Sequence, residues 1–201
     1  MSVAALISII LACYVLGCVN AGYYLVRFRT GRDIRESGSG SSGARNVSRT
    51  LGRLGFAITL VVDAGKGALA IWLAQHFDLE PWAVGVTMFA VVAGHVWPAQ
   101  LRFRGGKGMA PALGIGLILN PVLVATAVLV AAFAMATFRH LTFSGLVAIT
   151  ATPAIAYGLG QDGVLVVAIG FVVTLVLFAH RENILEFLSN RKQRLDWYRR
   201  L

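Results

Sequence analysis

A chain of 201 residues has room for one or two soluble domains, but 57% hydrophobic against 13% charged residues excludes a surface that water would cover. The composition is that of an integral membrane protein with recurring apolar runs. The formal charge of +9 raises nucleic acid as a partner, and its location decides against that: the basic residues gather in short loops between apolar runs, the topogenic pattern, with phosphate or anionic lipid as the further reading.

The first apolar run, 3-26, is expected to span, with Gly17, Asn20 and Gly22 near its end where small residues permit close helix contact. Cys13 and Cys18 are five residues apart on it, a poor geometry for a disulfide, and are expected to pack. Val15-Leu16-Gly17-Cys18 has a faint likeness to a lipoprotein cleavage site, but no Lys or Arg precedes it, so the run is expected to stay as a membrane helix.

A polar loop, 27-53, follows. Between Ser37 and Gly43 every residue is Gly or Ser, and Arg45, Asn46, Arg49 and Arg53 come directly after. Glycines allow positive φ and close backbone approach, successive N–H groups make an anion nest, and guanidinium suits phosphate by charge and fork geometry. The stretch therefore reads as a phosphate-binding loop, with a flexible positive-inside linker as the plain alternative.

The second span, 54-75, holds Asp63 and Lys66, three apart on one helical face and expected as a structural ion pair turned away from lipid. The third, 82-98, delivers His95 to the membrane edge, where capping a helix end is its plainer role. A second basic loop, 99-108, carries Arg102-Phe103-Arg104-Gly105-Gly106-Lys107-Gly108. It is no P-loop, because Gly108 stands where a magnesium-binding Ser or Thr belongs, and no nucleotide is expected.

The apolar stretch from Met109 to Ala179 breaks at Asn120-Pro121, Arg139-His140 and Gly160 to Gly163, giving spans 106-119, 122-138, 141-159 and 164-179. With Met1 outside, this seven-helix bundle leaves no Lys or Arg on the outer face, and of the 18 basic residues only Lys66 lies in a span. The fold expected is thus all-α, a single seven-helix transmembrane bundle over 1-201 with the N-terminus outside and the C-terminus cytosolic. Its tail, 180-201, reads as amphipathic, with Trp197 and Tyr198 as an interfacial anchor.

Three polar clusters then share one face: Ser39 to Arg49, Lys107 between glycines, and His180 with Asn183, three apart on a helix. A substrate with phosphate groups and a lipid tail suits them. No serine elbow, metal-ligand cluster or dinucleotide fingerprint occurs, so no cofactor is expected. A transporter of a phosphate-bearing metabolite and a lipid-binding scaffold remain alternatives on the residues alone.

Tyr14 to Tyr23, Asp33-Ile34-Arg35 with Gly38 to Arg49, Asp63-Ala64-Gly65-Lys66-Gly67, Gly94-His95 to Pro98 with Phe103 to Met109, and His180-Arg181-Glu182-Asn183-Ile184 together resemble the bacterial acyl-phosphate-dependent glycerol-3-phosphate acyltransferases, the PlsY family. Each motif is weak alone; five in register cover nearly the whole chain. The resemblance implies transfer of a fatty acyl group from acyl phosphate to the first hydroxyl of glycerol 3-phosphate in the bacterial inner membrane, at the cytosolic face. It implies Ser39, Arg49, Lys107, His180 and Asn183 as catalytic residues. Gly38, Gly40, Ser41, Gly43, Arg45, Asn46, His95, Gly105, Gly106 and Gly108 are the expected phosphate-binding set. Two departures stand out: the family usually has Asn at Ser41 and Thr or Ser at Arg45, so the loop's hydrogen bonds are expected to differ and phosphate affinity to shift towards Arg45.

Overall fold

The computed structural model describes residues 2–198, and side chains as far as Ser189. Every regular element among the described residues is helical. The order is α1 Val3–Cys18, α2 Ala21–Thr30, α3 Ala44–His76, α4 Pro81–Val96, α5 Met109–Leu119, α6 Pro121–Phe138, α7 Leu141–Gly158, α8 Gly163–Ala179 and α9 Arg181–Tyr198. Single turns of tighter helix at Ile34–Glu36 and Ala99–Leu101 lie in the two basic loops.

By length and composition Val3–Thr30, Ala44–His76, Pro81–Leu101, Pro121–Phe138 and Leu141–Gly158 can each cross a membrane. Gly163–Ala179 makes a sixth when joined to Arg181–Ser189 across a 60° bend, and Met109–Leu119 is a shorter apolar helix. The protein is therefore an all-helical integral membrane protein. Apolar side chains that water would not tolerate, such as Val128, Leu129 and Phe133 on α6, stand fully outward as a lipid-facing surface requires.

Lipid tails are as apolar as leucine, so backbone proximity and close packing have to hold the helices together. Glycines at two crossings permit it. A Cβ at Gly17 of α1 would lie 2.2 Å from Val91 O of α4, and one at Gly94 of α4 would lie 2.1 Å from Tyr14 O. The α3–α5 crossing repeats the device: Gly67 faces Pro111 O at 2.1 Å and Gly114 faces Ala64 O at 1.8 Å from the same added atom. Helix α4 is the most enclosed element, packed by α1, α3, α5 and α8.

Two breaks distinguish the structure from the expected spans. The first run divides at Val19 and Asn20 into α1 and α2, which remain continuous enough to act as one crossing. Helix α3 begins eight residues before the break at Gly52, inside what reads as a loop, and Gly52 takes φ 63 and ψ −158, a conformation open to glycine alone. The segment before that kink carries Arg45 and Arg49 across the end of the bundle. The side chains of Trp197 and Tyr198, expected as an anchor, lie outside the described residues.

Candidate active site

The first loop is held by side chains that composition would assign to a ligand. Asn46 is 2% exposed. Its Oδ1 accepts from the Ser39 N–H at 3.1 Å, and its Nδ2 lies 3.0, 3.0 and 2.9 Å from the carbonyl oxygens of Ile34, Ser37 and Ser41. Asn46 thus clasps the loop from beneath. This corrects its expected place in the phosphate-binding set, since no amide atom is left over for a phosphate. The N–H groups of Ser39, Gly40 and Ser42 are also taken, by Asn46 Oδ1, Ser37 O and Gly105 O. The expected backbone nest is to that extent already filled from within, and charge for an anion comes from side chains.

Arg35 joins the two loops. Its guanidinium pairs with Asp33 at 2.6 Å and donates to Leu101 O at 2.7 Å and Arg104 O at 2.9 Å. Hydrogen bonding to Arg35 holds the Asp33 carboxyl below the usual carboxylate range. Ser39 Oγ lies 3.2 Å from Ser41 Oγ, so Ser41 is the hydroxyl partner of Ser39. Gly38, at φ 60, is packed against Arg49: a Cβ there would be 2.7 Å from Arg49 Nη1.

The second loop turns back on α4 through hydrogen bonds from Gly105 N to Val96 O at 3.1 Å and from Gly106 N to His95 O at 3.0 Å. Gly105 and Gly106 are buried, Lys107 is half-buried, and Gly108 at φ 86 opens α5. Lys107 Nζ donates to Asn183 Oδ1 on α9. Burial pulls the Lys107 ammonium below its ordinary range, with the carboxylate of Glu182 acting in the opposite sense. His180 sits at the α8–α9 bend with Nδ1 2.8 Å from Val176 O. Burial lowers its pKa, so the ring is neutral at pH 7; Nδ1 then carries the proton donated to that carbonyl, and Nε2 is the acceptor.

His95, expected among the phosphate-binding residues, is 2% exposed and lies under the second loop. Its ring is enclosed between Lys66 and Gly106, beneath the loop backbone and away from the open cleft.

A fourth segment, absent from the sequence-based site, joins the others. Arg45 donates to Thr142 Oγ1 at the start of α7. A cleft of about 470 Å³ is lined there by Arg45, Arg49, Arg139, His140, Asn183 and Glu186, among others. The Arg139-His140 break reads as a mere turn in sequence; the one available signal was its place on the same face as the basic loops. The structure therefore brings Arg45, Arg49, Lys107 and Asn183 to one end of the bundle, with His180 a turn before Asn183, while Ser39 engages Ser41 on the loop above Arg49. Positive side chains around an open cleft at a helix-bundle end can hold phosphate groups and neutralise a departing one.

Residues 7–190 match the glycerol-3-phosphate acyltransferase family. The chain belongs to this family. It is 43% identical over 185 residues to glycerol-3-phosphate acyltransferase 1 of Desulfitobacterium hafniense, covering 92% of each chain. The glycerol-3-phosphate acyltransferase of Geotalea daltonii is 37% identical over 178 residues, 89% of this chain and 91% of that one. The fold superposes on the integral membrane glycerol 3-phosphate acyltransferase PlsY in its glycerol 3-phosphate form with a TM-score of 0.87 and 28% identity, covering 93% of this chain and 94% of that chain. Its lysophosphatidic acid form gives a TM-score of 0.83 at 26% identity, covering 93% of both. The acyltransferase family membership sets aside the transporter and scaffold alternatives.

Proposed function

We propose that this protein transfers a fatty acyl group from acyl phosphate to the first hydroxyl of glycerol 3-phosphate, releasing lysophosphatidic acid and inorganic phosphate, the first step of phospholipid synthesis. The observation that carries the reading is the bond from Lys107 to Asn183 beside the arginine-lined cleft, which joins the second loop to α9 where two phosphate groups have to meet. Acyl phosphate is already an activated mixed anhydride, so the protein has to supply position and charge. Holding the hydroxyl against the carbonyl is worth roughly 7–11 kcal/mol.

In this reading Arg45, Arg49 and Asn183 hold glycerol 3-phosphate in the cleft, while Lys107 and Ser39 hold the acyl phosphate. The hydroxyl oxygen attacks the acyl carbon, and the bond from that carbon to the phosphate oxygen breaks with its electron pair leaving on phosphate, where Lys107 neutralises the charge. The hydroxyl proton passes to Nε2 of His180, the acceptor nitrogen that its bond to Val176 leaves free. An apolar cavity of about 200 Å³ between α5, α6, α7 and α8 begins at Met109, two residues beyond Lys107, and suits the acyl chain.

The same reading assigns a topology. Lys107, Thr142 and Asn183 lie towards one end, which supports a course in which the chain between 108 and 139 leaves that end and returns to it, with α5 and α6 as two legs of a single seven-helix domain. The basic loops then face the cytosol and the N-terminus the outside of the bacterial inner membrane. The test is phosphate release by protein in lipid bilayers given palmitoyl phosphate with and without glycerol 3-phosphate. Release that needs the acceptor and is lost in Lys107→Ala is the expected result; release indifferent to the acceptor would overturn the proposal.

A further inference from the structure

Beneath the loop that carries Lys107 lies a buried charged cluster that no step of the reaction uses. Asp63 and Lys66 on α3 and His95 on α4 are 1%, 4% and 2% exposed. Lys66 Nζ is 2.9 Å from Asp63 Oδ1 and 2.8 Å from His95 Nδ1, and it donates to the carbonyls of Gly17 at 2.9 Å and Val19 at 2.6 Å. The ammonium has only protons to offer, so His95 Nδ1 is the acceptor and the ring proton sits on Nε2. Burying an ion pair is expensive, and apolar side chains of like volume often fill such a space at no loss of stability. What apolar side chains do not provide is direction.

The contacts of this cluster close a ring around both loops. Lys66 grips the end of α1 at Val19; the next residue, Asn20, accepts from Ser42 Oγ of the first loop at 2.6 Å; and Ser42 N–H donates to Gly105 O of the second loop at 3.3 Å. Gly106 N–H donates to His95 O, and a Cβ on Gly106 would sit 2.0 Å from His95 Nε2, so the loop backbone rests on the imidazole edge. His95 returns the ring to Lys66.

We propose that Asp63, Lys66 and His95 are positioning residues that set the height and direction of Lys107: one ammonium fixes the α1–α2 break, which holds the first loop, and the imidazole, which seats the second. This rests on the acyltransferase reading, because position is measured at the Lys107 that the reading assigns to the acyl phosphate. An error of about 1 Å at such a group costs on the order of 100-fold in rate.

The decisive experiment is suppression. Gly106→Ala drives a methyl group into His95 Nε2 and is expected to lower kcat/KM about 100-fold. His95→Asn keeps a side-chain acceptor near the Nδ1 position and removes the Nε2 edge, so Gly106→Ala with His95→Asn is expected to recover about tenfold of the loss, compared in variants that melt as wild type does so that a change in general stability is excluded. Wild-type rates in Gly106→Ala, or no recovery in the double variant, would overturn the proposal. A second pair, Asp63→Asn with Lys66→Met, removes both charges; in protein that melts as wild type does, a fall in kcat/KM of about 100-fold supports the ring and an unchanged value sinks it. Wild-type protein without acceptor-dependent phosphate release would sink the acyltransferase reading itself, whereas an active wild type indifferent to these changes sinks the positioning role alone.

Discussion

Lys107 on the second basic loop donates a hydrogen bond to Asn183 on α9, joining residues 76 apart in the chain. That bond ties the ammonium proposed to neutralise the leaving phosphate to a wall of the cleft. Lys107→Ala is expected to cut kcat/KM by about 100- to 1,000-fold, as loss of a single charge-stabilising donor does. Asn183→Ala should cost about tenfold or more, and the double variant less than the product of the two, because each single change already breaks the shared bond. A double-mutant cycle on acceptor-dependent phosphate release checks this; strictly multiplicative losses would show that the two act separately.

The pH profile follows from half-buried Lys107 and buried His180. Burial pulls Lys107 below its ordinary value of 10.5 and His180 below 6.5. In the proposed mechanism Lys107 acts protonated and His180 acts neutral. Activity should therefore fall as pH rises through a Lys107 pKa under 10.5, and fall as pH drops through a His180 pKa under 6.5. Lys107→Arg removes the alkaline limb, because guanidinium does not titrate, and leaves the acid limb in place. Glu182→Gln, by removing an opposing carboxylate, moves the alkaline limb to lower pH. Initial rates from pH 5 to 10 provide the check.

Arg45 lines the cleft from the surface and touches Thr142. Arg45→Thr should raise KM for glycerol 3-phosphate by about three- to tenfold with kcat nearly unchanged, because in the proposed reading Arg45 holds substrate and transition state alike. Arg49, set between Gly38 and the cleft, should lose kcat as well when changed to Ala. Steady-state kinetics with glycerol 3-phosphate varied will separate the two; equal effects would show no division of labour.

Glycines at the α3–α5 crossing should be intolerant of side chains. Gly67→Leu meets the Pro111 carbonyl and is expected to destabilise by at least the 1–3 kcal/mol typical of overpacking, and to lower activity because α5 begins just after Lys107. Gly65 lies two residues away on the same helix with open space at its Cβ, so Gly65→Ala should leave melting unchanged or raise it slightly. Thermal unfolding in detergent compares them directly.

Much of this is written in the sequence. Apolar runs of spanning length announce a membrane protein because lipid leaves no other choice for such segments, and the gathering of Lys and Arg into a few loops marks one face of the bundle. The basic glycine loops, Lys107, His180 and Asn183 were visible as clusters of phosphate-suited groups, and the spacing of Asp63 and Lys66 anticipated the ion pair that forms at 2.9 Å.

Residue type does not state which way a side chain faces, and there the sequence was silent. Asn46 stands among arginines and serines like a ligand, yet its amide is spent on four loop groups. His95 reads as a group at the membrane edge and proves to be enclosed, because Gly105 and Gly106 fold back over it. Arg139, His140 and Thr142 look like a break between two apolar runs until α6 and α7 pack and set that turn beside Arg45. Composition and periodicity are properties of single segments, so the chain alone determined its membrane class, its apolar runs and its basic loops. Which loops meet, and which polar groups are left free for a substrate, depend on how the helices cross and on which hydrogen bonds the backbone claims first, and those only the tertiary structure decided.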